Sequence, residues 1–233
     1  MSRNVVGILG GMGPEATILL QQRLLATVKA RDDADHLPLL IDMNPQVPSR
    51  IAHLIDGTGV DPSPVLAEMA RRLQAAGATA LAMPCNTAHH YAPQIEASVT
   101  IPLLNMVDLA VARAAEITSH GARMGILASP AVQRAGVFDP ALFHAGLTAV
   151  WPDNIDRMLD AIRDIKASGP TSAAHHILSD AATELVRKGA DLLFVGCSEF
   201  SLLAPSLTAP VPVLDTIDVL ATAIHAHTLE KSS

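Results

Sequence analysis

The chain has 233 residues, enough for one large or two small domains with a substantial buried core. Apolar residues make up 49% of the sequence and aromatic residues only 3%, so the core must be packed from aliphatic side chains, as in layered α/β folds. The net charge of −7 argues against a nucleic-acid-binding surface, and no apolar run reaches the roughly 18 residues that span a membrane.

In chain order, short apolar runs alternate with stretches of helical periodicity. Ser63 as N-cap, Pro64 at the first helical position and Gly77 beyond the end delimit one helix. A second helix is expected over 154–168, with Gly169 as its stop. The apolar runs do not alternate with polar residues, which indicates parallel strands covered on both faces. Strands are expected at 5–10, 38–43, 80–85, 101–106, 124–129, 147–152, 192–197 and 211–216.

The second half of the sequence repeats the first. The segment GATALAMPC at 77–85 matches GADLLFVGC at 189–197, and IPLLNMVD at 101–108 matches VPVLDTID at 211–218. The first match aligns the only two cysteines of the chain. The sequence therefore predicts two similar α/β domains with parallel sheets, related by a pseudo-twofold axis, and an active site in the cleft between them. We expect residues 1–103 together with 210–233 to form one domain and 104–209 the other.

Cys85 and Cys197 each end a predicted strand, where ligands of open parallel sheets bind. Polar residues and an expected helix start follow each cysteine, and a helix N-terminus lowers a thiol pKa from about 8.5 and attracts carboxylates. Two opposed thiols, one ionised and one protonated, provide what racemisation needs: removal of an α-proton from one face and delivery of a proton to the other. Two buried structural cysteines are the simpler alternative.

Four motifs resemble the aspartate/glutamate racemase family, in particular its aspartate racemase branch. They are GILGGMGPEAT at 7–17, NPQVPSR at 44–50, MPCNTAH at 83–89 and GCSEF at 196–200, in family order along nearly the whole chain. The resemblance implies two α/β domains, catalysis without pyridoxal phosphate or any other cofactor, and one catalytic cysteine in each half.

The same resemblance assigns roles to individual residues. Cys85 and Cys197 become the acid/base thiols, Asn86 and Thr87 bind the substrate's α-carboxylate or amine, and Ser198 stands where relatives usually have threonine. The remaining substrate-binding residues that it implies are Met12, Arg50, Ser129, Lys166 and Glu199.

Within this set, Arg50 resembles the anchor of the substrate's distal carboxylate, and Lys166 supplies a second cation at the end of its helix. The segment ASPAV at 128–132 departs from the family pattern, since Ala131 and Val132 carry no hydroxyl. This departure concerns the preferred side chain, so aspartate, glutamate and neutral amino acids all stay open as substrates.

Other functions remain open at this stage. Gly11 to Ala16 fits the G-x-G-x-x-A dinucleotide fingerprint of a nicotinamide-dependent oxidoreductase, with Asp42 as a late acidic partner, but a tight strand-to-helix turn that needs glycine is the favoured explanation. A maleate isomerase-like enzyme would also keep two cysteines.

The histidines near Cys85 suggest two further functions, a cysteine hydrolase and a metal site. A cysteine hydrolase could use His89 or His90 as base, but both are expected to point away from the thiol, at or near the surface. A metal site at Cys85, His89 and His90 lacks matching ligands in the other half.

A two-lobed small-molecule sensor is the non-enzymatic alternative. The N-terminal segment does not resemble a signal peptide, and two cysteines suit a reducing compartment, so we expect a cytoplasmic protein. The family resemblance implies a homodimer that acts on a small molecule.

Overall fold

The computed structural model describes residues 4–230, which form two halves, each built around a parallel four-stranded sheet. The first sheet has the strand order β2-β1-β3-β4 and the second the matching order β6-β5-β7-β8. The eight strands lie at the predicted positions, and the prediction of two α/β halves with parallel sheets is confirmed. The strands are β1 Val6–Gly10, β2 Leu39–Met43, β3 Ala80–Ala82, β4 Leu103–Leu104, β5 Arg123–Leu127, β6 Thr148–Val150, β7 Leu192–Val195 and β8 Val213–Asp215.

Helices cover the sheets. Helix α7 begins after Asn154, whose side chain accepts a hydrogen bond from the Arg157 amide, and ends at Gly169 as predicted. Helix α2 begins one residue earlier than predicted, because Pro62 is its N-cap and Ser63 its first helical residue. The helices are α1 Pro14–Thr27, α2 Ser63–Ala75, α3 Ala92–Glu96, α4 Met106–Ile117, α5 Pro130–Arg134, α6 Asp139–His144, α7 Ile155–Ser168, α8 Ser172–Arg187 and α9 Thr216–Leu229.

Two helices cross between the halves. Helix α4 follows the last strand of the first sheet, yet its buried residues pack with β5 and β7 of the second. Helix α9 follows the last strand of the second sheet and packs with α1 and β1 of the first. Asn105 and Asp215, aligned by the sequence repeat, are the side-chain N-caps of these two helices. The exchange of helices places the carboxyl ends of both sheets beside one another.

The predicted domain boundary at residue 210 assigns both β8 and α9 to the first domain, but the two elements contact different halves. Strand β8 is hydrogen-bonded to β7 in the second sheet, whereas α9 packs on the first half. The chain therefore passes from one half to the other between Asp215 and Thr216. The division into domains itself stays a prediction.

Candidate active site

A cavity of about 190 Å³ lies between the halves, at the carboxyl ends of the strands. The segments that follow β1, β3, β5 and β7, the two central strands of each sheet, all reach it. This is the position where open parallel sheets bind ligands. The lining residues are Met12, Ser49, Arg50, Ile51, Cys85, Thr87, Ser129, Ile162, Lys166, Cys197 and Glu199.

A glycine turn after β1 brings Met12 to the cavity. Gly11 has a φ of +90°, and a Cβ atom there would lie 2.4 Å from the Asn44 carbonyl carbon, so no other residue fits. Asp42, the acidic partner that a dinucleotide site would need, is instead bound by Arg72, whose Nη2 lies 2.6 Å from Asp42 Oδ2. The glycine motif is therefore explained by the tight turn after β1 rather than by a dinucleotide site.

The loop that carries Cys85 is held by a buried histidine. His89 Nε2 accepts a hydrogen bond from the Met106 amide at 3.0 Å, so Nδ1 carries the proton and donates it to the Cys85 carbonyl at 2.9 Å. Burial lowers the pKa of His89 to about 4, which keeps the ring neutral. The expectation that His89 lies at or near the surface is wrong, because its ring fills the space between this loop and α4. Its hydrogen bond is to the main chain and not to the thiol.

Cys197 lies in a polar chain with Glu199 and Lys166. The Cys197 thiol donates to Glu199 Oε2 at 3.0 Å, and Lys166 Nζ lies 2.5 Å from Glu199 Oε1. Burial is the largest single effect on the pKa of Glu199 and raises it, but the Lys166 ammonium and the hydrogen bonds from Cys197 and Lys166 together lower the pKa below its usual value. Burial also opposes the charge of Lys166, yet the Glu199 carboxylate raises its pKa. Both groups are therefore ionised, and the carboxylate is available to the thiol as an acceptor.

The pKa of the Cys197 thiol is raised well above its usual value. Burial is the main cause, followed by the negative charge of Glu199. Our expectation that a helix N-terminus lowers the pKa is wrong for Cys197. The turns after the two cysteines are short 3₁₀ segments, Thr87–Tyr91 and Phe200–Leu202, rather than long α-helices with a strong dipole. The raised pKa favours the protonated form of the Cys197 thiol.

Arg50 lines the cavity, and its guanidinium is partly hydrogen-bonded to main-chain carbonyls. Its Nη1 donates to the carbonyls of Val47 and Pro48 at 3.3 and 3.1 Å, and Nη2 donates to the Met12 carbonyl at 3.4 Å. Nε is buried without a hydrogen-bond partner. The guanidinium thus braces the glycine turn and leaves donor capacity at Nε and Nη2.

Hydroxyl and amide groups complete the surroundings. Thr87 Oγ1 and Ser129 Oγ lie 3.4 Å apart across the cavity, one from each half. Asn86 and Ser198 do not line the cavity: Asn86 Nδ2 donates to Thr216 Oγ1 at 3.0 Å, and Ser198 Oγ lies 3.4 Å from Glu199 Oε2. The Asn86 Oδ1 atom is buried without a partner.

The cavity unites eight of the ten residues predicted for the site, all except Asn86 and Ser198. Sequence reasoning did not include Ser49, Ile51 and Ile162 among the site residues, and it gave Thr216 no role. The periodicity of α7 does place Ile162 and Lys166 four residues apart on one face, a signal that could have joined them. Across residues 4–230, no cluster of three or more histidine, cysteine or acidic side chains could hold a metal, and no helix is long and apolar enough to cross a membrane.

Comparisons with known proteins identify the family of this chain and agree with its fold. Residues 9–224 match the family model described as Asp/Glu/Hydantoin racemase. The broad specificity amino-acid racemase RacX of Bacillus subtilis (strain 168) is 22% identical over 225 residues, which cover 93% of this chain and 95% of RacX. The solved aspartate racemase of Picrophilus torridus superposes with a TM-score of 0.83 at 25% identity, covering 99% of this chain and 96% of that one. An aspartate racemase homologue from Pyrococcus horikoshii OT3 has the same fold, with a TM-score of 0.75 at 18% identity over 99% of this chain and 100% of its own.

Proposed function

Because this chain belongs to the Asp/Glu/hydantoin racemase family, we propose that it interconverts L- and D-amino acids by a two-thiol mechanism without a cofactor. The observation that carries this proposal is that Cys85 and Cys197, one from each half, line the same cavity. Each thiol follows a central strand of its own sheet, an equivalence that supports a proposal in which the two thiols act on opposite faces of the substrate.

In each turnover one cysteine acts as base and the other as acid. The thiolate removes the α-proton, which breaks the Cα–H bond, forms an S–H bond and leaves the electron pair on Cα. The opposing thiol then gives its proton to the other face of Cα and becomes the thiolate. The raised pKa of the Cys197 thiol favours its protonated form, the form in which it acts as the acid. When Cys197 must act as base, the Glu199 carboxylate 3.0 Å away is the group that can accept its proton.

The polar groups of the cavity match the remaining parts of an acidic amino acid. Arg50, whose guanidinium lines the cavity, is the group for a side-chain carboxylate, and Lys166 adds a point charge. Thr87 and Ser129 provide hydroxyls for the α-carboxylate or amine. A cavity of about 190 Å³ is smaller than the roughly 300–1,000 Å³ of drug-sized sites, which restricts it to small metabolites. We therefore propose aspartate, glutamate or both as substrates.

One observation favours a broader substrate range. The charge of Lys166 is neutralised by Glu199, which leaves Arg50 as the cation without a carboxylate partner in the cavity lining. The relative RacX is described as a broad specificity racemase. Neutral amino acids are thus the second candidate class.

The experiment is a screen of purified protein against single enantiomers. L- and D-aspartate, glutamate, alanine and serine are each incubated with the protein, and the enantiomers are separated by chiral chromatography. Racemisation of aspartate or glutamate above that of alanine and serine supports the acidic class. Equal or faster turnover of neutral substrates supports the broad class, and no turnover of any amino acid contradicts the proposal.

Three properties stay predictions from the sequence and its family resemblance: the independence from pyridoxal phosphate, the homodimeric state and the cytoplasmic location.

A further inference from the structure

A buried hydroxyl connects the two loops that carry the thiols. Thr216 is fully buried at the first position of α9. Its Oγ1 accepts a hydrogen bond from Asn86 Nδ2 at 3.0 Å and donates to the Val195 carbonyl at 3.0 Å. Asn86 adjoins Cys85, and Val195 ends β7 two residues before Cys197. Two hydrogen bonds through a single oxygen therefore join the loop that carries Cys85 to the end of strand β7, from which the Cys197 loop leaves.

The donor and acceptor capacities of the groups fix the direction of both hydrogen bonds of the Thr216 hydroxyl. A carbonyl can only accept, so the one proton of the Thr216 hydroxyl goes to Val195. The hydroxyl then offers lone pairs to Asn86, which must present its NH₂ group there. The Asn86 Oδ1 atom consequently points elsewhere and is left buried without a partner. Thr216 thus sets both the spacing of the loops and the orientation of the amide.

The position of Thr216 in the fold makes it a suitable brace. Asp215 pairs with Val195 in the second sheet, while the residues after Thr216 pack into the core of the first half. Thr216 lies where the polypeptide passes from the second half to the first. At the equivalent position of the first half, the Met106 amide holds the Cys85 loop through His89. The starts of both crossing helices are therefore hydrogen-bonded to the thiol-bearing loops.

We propose that Thr216 is a positioning residue that keeps the two thiols opposed, so that abstraction of the α-proton leads to inversion. This inference rests on the proposed two-thiol function. If the acid thiol is displaced, the base can still remove the α-proton, exchange it with solvent and return a solvent proton to the same face. The result is exchange with retention. Loss of the brace should therefore uncouple exchange from inversion rather than only slow both.

The test compares Thr216→Val, which keeps the shape and removes the hydroxyl, with Thr216→Ser, which keeps the hydroxyl. The matched control is Thr228→Val. Thr228 is also fully buried on α9, but its hydroxyl bonds only the Ile224 carbonyl of the same helix. In D₂O, NMR measures loss of the α-proton, chiral chromatography measures inversion, and their initial rates give an exchange-to-inversion ratio for each enantiomer.

We expect Thr216→Val to lower the rate of inversion on the order of ten- to hundredfold, the cost of misplacing a reacting group by about 1 Å, and to raise the ratio at least about threefold. Thr216→Ser and Thr228→Val should keep the wild-type ratio. If Thr216→Val does not fold, Thr216→Ala and Thr216→Ser, which differ by one oxygen atom, provide the same comparison.

The inference is overturned if the ratio in Thr216→Val equals that of the wild type, or if Thr228→Val raises it as much. Either result leaves the racemase proposal intact, provided that wild type racemises and the cysteine variants do not. Failure of the racemase proposal itself would appear differently, as absence of inversion in wild type or its persistence without a thiol.

Discussion

Replacement of Lys166 by methionine tests the ion pair beside Cys197. In the native protein Lys166 Nζ lies 2.5 Å from Glu199 Oε1, and the two side chains are 40% and 9% exposed. Methionine preserves most of the apolar stem and removes the charge. Glu199 would then be a buried carboxylate without a cation, and its pKa should rise because the Lys166 charge, the strongest effect that opposes burial, is lost.

The magnitude lies between two limits. Removal of one partner from a fully buried pair costs about 3–5 kcal/mol, whereas exposed pairs contribute about 0.2–1 kcal/mol. Because Lys166 is 40% exposed, solvent screens part of the interaction. We therefore expect Lys166→Met to lower the free energy of unfolding by about 1–3 kcal/mol at neutral pH, or the Tm by roughly 2–10 °C.

The loss should depend on pH in a definite direction. The lowered pKa of Glu199 contributes stability that is present above its unfolded-state pKa and disappears as the pH falls through the native value. The difference between wild type and variant should therefore be largest at neutral pH and shrink in acid.

The assay is urea unfolding followed by circular dichroism, for wild type, Lys166→Met and the double variant Lys166→Met/Glu199→Gln. The double variant should recover part of the loss, since it leaves no unpaired charge. Lys29→Met, at an exposed lysine that does not line the cavity, is the control and should change little. If Lys166→Met is as stable as wild type at neutral pH, or if its loss is independent of pH, the account of this ion pair is wrong.

Three further predictions concern the substrate, the histidine and the cofactor. Arg50→Ala should lower kcat/KM for aspartate or glutamate roughly tenfold to a hundredfold more than for alanine, by steady-state kinetics; equal losses would show that Arg50 only braces the Met12 carbonyl. For His89, the native pKa of about 4 lies below the unfolded value of about 6.5, so the unfolded state binds more protons between those values. Stability from this group, about 3 kcal/mol, should be lost as pH falls across that range. The stability advantage over His89→Gln should narrow accordingly in urea titrations, and a constant difference would contradict the assignment. Finally, activity should survive EDTA and dialysis, and restoration by pyridoxal phosphate would contradict the predicted cofactor independence.

Most of the architecture could be predicted from the sequence, because the internal repeat and the spacing of apolar residues depend directly on the fold. Apolar runs identify strands buried on both faces, and the aligned cysteines identify equivalent positions in the two halves. The motif resemblance named the residues of the cavity, but not which of them contact one another. That Lys166 pairs with Glu199, and that Glu199 accepts from Cys197, depends on a contact between α7 and the loop after β7. No local pattern encodes that contact.

The two corrections have the same origin. The spacing of His89 from Cys85 along the expected helix predicts a surface or half-buried residue, but its two ring nitrogens bond one carbonyl and one amide inside the protein, and the side chain is buried. The Cys197 thiol was expected to be acidified by a helix dipole, whereas burial and the nearby carboxylate dominate its pKa. Thr216 lies far from both cysteines in sequence and becomes relevant only because α9 crosses between the halves. Sequence patterns specify elements well and tertiary electrostatics poorly.

The two-thiol mechanism is tested most directly by α-deuteration in Cys85→Ser and Cys197→Ser. Each variant is incubated in D₂O with L- and D-aspartate separately, and the α-proton signal and the enantiomer ratio are followed by NMR and chiral chromatography. Neither variant should racemise, because each direction needs both thiols. Each should exchange the α-proton of one enantiomer without inverting it, and the two variants should act on opposite enantiomers. Substantial racemisation by either single variant would contradict the mechanism and leave that cysteine with a structural role.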